Sequence, residues 1–342
     1  MIDFFMQYAL FFAKSLTFFI FTVLTVLAVI VIVIRSKSQA QDGTFMIDNI
    51  NDRLDDITEL LDSEILSKSE LKAKIKARKK SKSAQENQAE LPRLFVLNFD
   101  GDIKASQVNE LRETITAILN IASAQDEVLL ILESGGGFVP HYGLAASQLA
   151  RFRERNIPLT IAIDKIAASG GYLMACVANK IICAPFAIVG SIGVVAIIPN
   201  FYELLKKHNI EIEQHTAGQY KRTLTMFGEN NDEAREKFKE ELTQTHVHFK
   251  EFIEKYRPQV DIEQVATGEH WSGEKAKSLN LVDELQTSDD YILEKYPYYK
   301  MYKISFVIKV SLKDKLSASI SGSISGAIEN IVLKIMNLKN SI

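Results

Sequence analysis

Two short runs in this sequence set glycines beside a hydroxyl in a way that suits acyl chemistry. In ILESGGGFVP, Gly135, Gly136 and Gly137 follow an apolar run and can turn their backbone amides outward without steric objection. In AASGGYLMACVA, Ser169 opens an apolar stretch with the amide of Gly170 beside it. A hydroxyl at Ser169 would attack a carbonyl while the amides of Gly136 or Gly137 and of Gly170 hold the developing oxyanion, an effect worth ~3–4 kcal/mol per donor. The competing reading is that Ser169 merely caps a helix, a role serine favours. The two glycines that follow weigh against it. Each costs a helix about 1 kcal/mol relative to alanine, so a pair in the first turn implies close backbone approach by something else. A phosphate is a poor candidate, because the chain lacks a GxxxxGK[ST] loop.

Such a nucleophile needs a base. His141 in VPHYG lies closest to the glycine run, while His246 and His248 sit two apart in a charged segment and would face different directions on a helix. Lys221, in HTAGQYKRTLTMFGE, is the stronger candidate if the apolar TLTMF stretch desolvates it, since burial lowers a lysine pKa toward neutrality. The bland alternative is a solvated lysine, as most are. Cys176 and Cys183 have neither zinc-site spacing nor the numbers for a disulfide scaffold, and no cofactor is expected.

The elements that must position these residues form an alternating series. Strand-like runs at 94–99, 127–132 and 158–163 are separated by helical patterns at 106–121 and 142–154. Strand and helix in that rhythm imply parallel crossovers with both sheet faces covered. A further helix is expected over 168–178, short strands at 180–183 and 187–196, and a mostly helical, charged stretch from 201 to 256. With 47% hydrophobic and 24% charged residues and a net charge of −3, the 342-residue chain is neither disordered nor built to bind nucleic acid.

The first 92 residues differ from the rest. Ser15 to Ile34 carries no charge over twenty residues, and a helix of that length reaches ~30 Å, the thickness of a bilayer core. It is read as a transmembrane anchor instead of a cleaved signal peptide, because the apolar core is long and Arg35-Ser36-Lys37 follows directly. The preceding apolar residues form an interfacial lead-in, with Lys14 snorkelling. Positive charges flank the run almost equally, so the sequence leaves orientation open. Asp42 to Glu64 then holds eight acids against one base, with Met46, Ile50, Leu54, Ile57, Leu61 and Ile65 spaced as one face of a helix. Lys68 to Lys82 holds eight bases against one acid and reads as a helix or tether, either solvated or touching anionic lipid.

Taken in order, SGGG with Phe138-Val139, AASGGY, VGSIGVV, AGQYKRTLTMF and ATGEHWSGEKAKSLNLVDEL resemble the signal peptide peptidase A family of serine peptidases. The likeness is greatest to its SohB branch and covers residues 92 to 298. It implies a ClpP/crotonase-like α/β spiral of ββα units and a Ser/Lys dyad: Ser169 as nucleophile, Lys221 as general base and Ser191 orienting the lysine. The amides of Gly136 and Gly170 would form the oxyanion hole, with Gly137 the fallback for the first. It further implies ring-shaped homo-oligomers in which the lysine comes from a neighbouring subunit, and hydrophobic peptide substrates such as membrane-retained signal peptides or misfolded exported protein. The implied setting is the bacterial inner membrane, lipid bilayer included, crossed once, with the catalytic body on the periplasmic side. Gly135 departs from the family's usual proline, and Glu133 adds a carboxylate beside the loop.

The expected layout is an anchor over 1–37, a charged linker over 38–92, a peptidase domain over 93–298 and a strand plus amphipathic helix over 299–342. In that last part the strand spans 304–312 and the helix 324–338, and the segment around Gly273, Ala276 and Asp283 is expected to be structural. Other readings of the same motifs are an inactive scaffold of the same fold and a crotonase-type acyl-CoA enzyme, which would have no use for Lys221 or an anchor.

Overall fold

The computed structural model describes residues 2–35, 43–86 and 91–308, with the side chains of 2–5, 8, 24, 27–35 and 79–86 left aside. The chain divides into two compact units, with Phe45–Val307 forming the larger. The smaller contains helix α1 (Ile2–Arg35). Within it the hydroxyls of Thr17, Thr22 and Thr25 each donate 2.8 Å back to the carbonyl four residues earlier, which satisfies them without an outside partner. The run expected to be a membrane anchor is therefore helical, but among the described residues no helix is long and apolar enough to cross a membrane.

Strand β1 (Gly43–Asn49), most of it in the larger unit, is followed by helix α2 (Ile50–Ile65). Asn49 caps α2 by accepting from the amides of Asn51 and Asp52, so the helix starts at Ile50 and Met46 lies in the strand, against expectation. Helix α3 (Lys68–Glu86) opens with a capping box: Ser67 N donates to Glu70 Oε2 at 3.0 Å and Glu70 N to Ser67 Oγ at 3.4 Å. It runs back along α2, with Lys74 on Asp62 at 2.7 Å and Arg78 on Asp55. The basic block is thus a largely exposed helix, one of the two forms expected of it, and part of it pairs with the acidic block of its own chain.

Next come β2 (Arg93–Gly101), α4 (Val108–Ile121), β3 (Glu127–Ser134), α5 (Val139–Glu154) and β4 (Leu159–Ile163), as the periodicity implies. They are followed by β5 (Ile166–Ala168), α6 (Gly170–Ala175), β6 (Lys180–Cys183), β7 (Ile188–Gly190), α7 (Tyr202–Lys207), α8 (Asp232–Tyr256) and α9 (Ile262–Val265). The last elements are β8 (His270–Ser272), α10 (Gly273–Ser278), β9 (Glu284–Leu285), α11 (Ser288–Lys295) and β10 (Lys300–Ile308). The main sheet has the order β1-β10-β2-β3-β4-β6-β9, and β5, β7 and β8 branch from the end of β3. The fold is mixed α/β, with parallel pairing from β10 through β9 and an antiparallel β7–β8 pair.

Alternation along the strands feeds two cores. Phe95, Leu97 and Phe99 of β2 pack on one face with α4, α5 and α6, while Leu94 and Val96 pack on the other with Ile50 of α2 and Tyr291 of α11. At the far end, Arg257 is buried and grips both oxygens of Asp283 at 2.8 Å, which ties the end of α8 to the segment before β9. Asp283 also accepts from the amide of Ile181 at 2.7 Å.

Three expectations are revised. The helix expected over 168–178 is the short α6 preceded by β5, and the strand expected over 187–196 is shortened to β7. Residues 208–231 are irregular instead of helical: Asn200 donates to the carbonyls of Thr225 and Gly228, and Asn230 exchanges hydrogen bonds with Thr225, side-chain bonds that compete with a helix ladder. The C-terminal helix expected over 324–338 lies outside the described residues.

Candidate active site

The site forms where the carboxyl ends of β3, β5 and β7 meet. Ala168 of β5 and Gly190 of β7 are in parallel register, so Ser169 and Ser191 are the next residues on neighbouring strands. The Ser169 amide donates to the Gly190 carbonyl at 2.8 Å. Both serines have φ +52°, a left-handed conformation that costs a non-glycine residue about 1–3 kcal/mol and has to be held by its surroundings. The Ser191 amide donates to the Glu269 carbonyl at 2.6 Å, and a methyl at Gly190 would lie 2.7 Å from the Trp271 ring, so β8 clamps this turn.

Ser169 stands at the amino end of α6 but its side chain caps nothing and makes no hydrogen bond among the described residues. The capping reading is therefore set aside. The glycines after it are explained by close approach. A side chain at Gly170 would meet the ring of buried Tyr142 at 2.5 Å, and one at Gly171 the carbonyl oxygen of Ser134 at 2.5 Å. The Gly170 amide, first in its helix, has no hydrogen-bond partner in the protein among the described residues.

Gly136 lies directly against the nucleophile turn, since a methyl there would sit 2.6 Å from Gly170 N and 2.8 Å from Ser169 Cβ. Its φ of +87° suits glycine alone. Its amide, however, donates to Ser134 Oγ at 3.0 Å. The amide of Gly137 has no such partner among the described residues, and this glycine is pressed against Ile103, whose carbonyl oxygen a Gly137 methyl would meet at 2.0 Å. Between the two loop glycines, the amide left for a ligand is therefore that of Gly137. Ser134 and Tyr142 were not singled out from sequence. The serine directly before the glycines was the available signal, whereas nothing marks a tyrosine in α5 as its partner.

Ser169, Ser191, Gly170 and the glycine loop are thus brought together. Lys221 is not joined to them: it is exposed, its amide donates to Gly218 O at 3.2 Å, and no hydrogen bond or ion pair links it to Ser169 or Ser191. With Thr216, Arg222, Met226 and Phe227 it lines an open cavity of about 650 Å³ in the irregular segment.

The remaining candidates have other roles. Glu133 forms an exposed ion pair with Lys165 at 2.8 Å, and His141 lies against the Phe138 ring. Cys176 and Cys183 are buried, and burial pushes both thiols up, Cys183 to about 11, so neither supplies a thiolate. Burial likewise raises the Tyr142 hydroxyl, which stays protonated as a donor. Among the described residues no group of three or more side chains could hold a metal ion.

Comparison with known proteins shows the family. Residues 3–149 match the model described as peptidase family S49 N-terminal, and residues 151–297 match that of peptidase family S49. A relative from Haemophilus influenzae named probable protease SohB is 45% identical over 316 residues, covering 87% of this chain and 90% of the relative. One of the same name from Buchnera aphidicola is 49% identical over 306 residues, covering 86% of this chain and 100% of the relative. A solved mutant of the 1510-N membrane-bound stomatin-specific protease superposes with a TM-score of 0.41 at 14% identity, over 61% of this chain and 86% of that one.

Proposed function

We propose, from the premise that the chain belongs to peptidase family S49 and is a serine-type peptidase of the SohB kind, that Ser169 is its nucleophile. One observation carries the reading: Ser169 is held in a strained turn with a hydroxyl and a neighbouring helix-terminal amide that have no partner among the described residues. The hydroxyl oxygen adds to the scissile carbonyl carbon and its proton passes to a base. The oxyanion lies on the amides of Gly170 and Gly137, Gly136 serving to hold the loop. The carbon–nitrogen bond then breaks as the base returns the proton to the leaving amine, and water hydrolyses the acyl-enzyme by the same route.

Lys221 is the base, supplied by a neighbouring subunit and oriented by Ser191. The apolar residues exposed between β7 and α8 support such an assembly, among them Val195 at 83%, Ile197 at 89%, Leu204 and Phe227. The body follows the ClpP/crotonase-like spiral, and the chain acts at a bacterial inner membrane, on its periplasmic face. Substrates are hydrophobic peptides, among them signal peptides left in the bilayer.

The test is complementation. Ser169→Ala and Lys221→Ala should each abolish cleavage of a fluorogenic apolar peptide, and coexpression of the two should restore part of it in mixed oligomers. Activity retained by Ser169→Ala removes the nucleophile, and a failure of mixed oligomers to recover activity removes the shared site.

A further inference from the structure

Behind the glycine loop runs a buried hydrogen-bond chain that the reaction itself does not use. The Gly136 amide donates to Ser134 Oγ at 3.0 Å, Ser134 Oγ meets the Tyr142 hydroxyl at 2.6 Å, and that hydroxyl donates to the Asp102 carbonyl at 2.6 Å. Ser134 Oγ also donates toward the Gly101 carbonyl at 3.3 Å, so the two hydroxyl protons serve each other and the carbonyls of Gly101 and Asp102. Ser134 is 2% and Tyr142 0% exposed, and within that dry setting each bond is costly to leave unmade. The same tyrosine ring is what Gly170 packs against, a side chain there meeting it at 2.5 Å.

We propose that Tyr142 is the positioning residue of the oxyanion hole. Its hydroxyl, through Ser134, fixes the loop that presents the Gly137 amide, and its ring supports the Gly170 amide. One buried side chain thereby sets the distance between two donors that come from separate strand ends. The inference rests on the assignment of Ser169 as nucleophile and of these amides as donors. Tyr142 touches no substrate, so its loss should act on the oxyanion and not on peptide binding.

Tyr142→Phe keeps the ring and removes the hydroxyl; Ser134→Ala removes the next link. Both, their double variant and Ser169→Ala would be made in the full chain. Three quantities would be read for each: kcat and KM on the fluorogenic peptide, inhibition by a peptide aldehyde of the same sequence, and, in the Ser169→Ala background, affinity for the uncleaved peptide. The aldehyde reports the hole directly, because Ser169 Oγ adds to its carbon, the hydroxyl proton leaves to the base and the carbonyl oxygen becomes the anion the amides must hold.

Displacing an oxyanion donor by a fraction of an ångström should lower kcat about 10- to 100-fold in Tyr142→Phe. KM should stay within about twofold, aldehyde inhibition should weaken in proportion to kcat, and affinity for the intact peptide should be unchanged. The double variant should be no worse than the worse single one, because the links act as a unit. Unchanged kcat and unchanged aldehyde inhibition in Tyr142→Phe, with Ser169→Ala inactive, overturn the inference and leave the peptidase assignment standing. If Tyr142→Phe does not fold, Ser134→Ala decides on the same criteria. Cleavage by Ser169→Ala overturns the assignment first and the inference with it.

Discussion

Replacing Gly136 by alanine tests the packing of the site most directly. The residue has φ +87°, and an L side chain held in left-handed backbone costs about 1–2 kcal/mol. The added methyl would stand 2.6 Å from Gly170 N, 2.8 Å from Ala168 O and 2.8 Å from Ser169 Cβ. Two of these three are backbone atoms, so no flexible tip can move aside, and overpacking of this kind costs about 1–3 kcal/mol more. The loss of stability should therefore be about 2–5 kcal/mol, which in a unit of this size lowers Tm by roughly 5–15 °C. The atom pushed hardest is the nitrogen that donates to the oxyanion, so kcat should fall about 10²- to 10³-fold in the protein that remains folded. Thermal melts and initial rates on a fluorogenic peptide measure the two effects separately. Gly143→Ala is the control. It lies in α5 with nothing within 4 Å of the added methyl, and should raise stability by up to about 1 kcal/mol with activity unchanged. Wild-type melting and rate in Gly136→Ala would refute the described geometry. A lowered Tm with full kcat would refute the role of Gly170.

Two further predictions concern the body that carries the site. Burial raises the Asp126 carboxyl, but bonds from Arg93 and Ser123 outweigh it and hold the group at about 2 against the usual 3.8. The sign follows from the lowered value: its contribution of about 2 kcal/mol is complete above pH 4 and is lost as pH falls from about 4 to about 2, so urea melts of Asp126→Asn should lack that part of the acid dependence. Asp283→Ala would leave the buried Arg257 guanidinium without its carboxylate, and chemical denaturation should show a loss of about 3–5 kcal/mol.

The alternating α/β body was legible because each strand carries its own evidence: Phe95, Leu97 and Phe99 face one core, and Leu94 and Val96 the other. Ser169 was legible because two glycines after a serine make a poor helix start, and the contacts with Tyr142 and Ser134 supply the reason. The division of labour between Gly136 and Gly137 was not. It depends on which amide a serine hydroxyl captures, a contact of the folded loop that no spacing encodes. The irregular stretch 208–231 misled for a related reason, since its charged and apolar residues carry a helical pattern while Asn200 and Asn230 bind the backbone elsewhere. The acidic and basic blocks were read separately, and their pairing through Asp62 and Lys74 required the turn at Ser67 to be seen.

The position of β10 has a consequence for how the chain comes to be folded. It lies between β1 and β2, and its register with β2 joins Lys300 to Arg93. Until residue 300 has been synthesised, β2 is an open edge next to β3, and β1 has no sheet to join. Contacts this distant in sequence form slowly, and an unpaired edge is a template for other chains. At elongation rates of about 5–20 residues per second, roughly ten seconds or more separate β2 from its partner. A chain cut short before β10 would contain every residue of the nucleophile turn and still present an adhesive edge. The burden of the fold therefore falls on the ribosome and on whatever holds the nascent chain, well before any substrate is met.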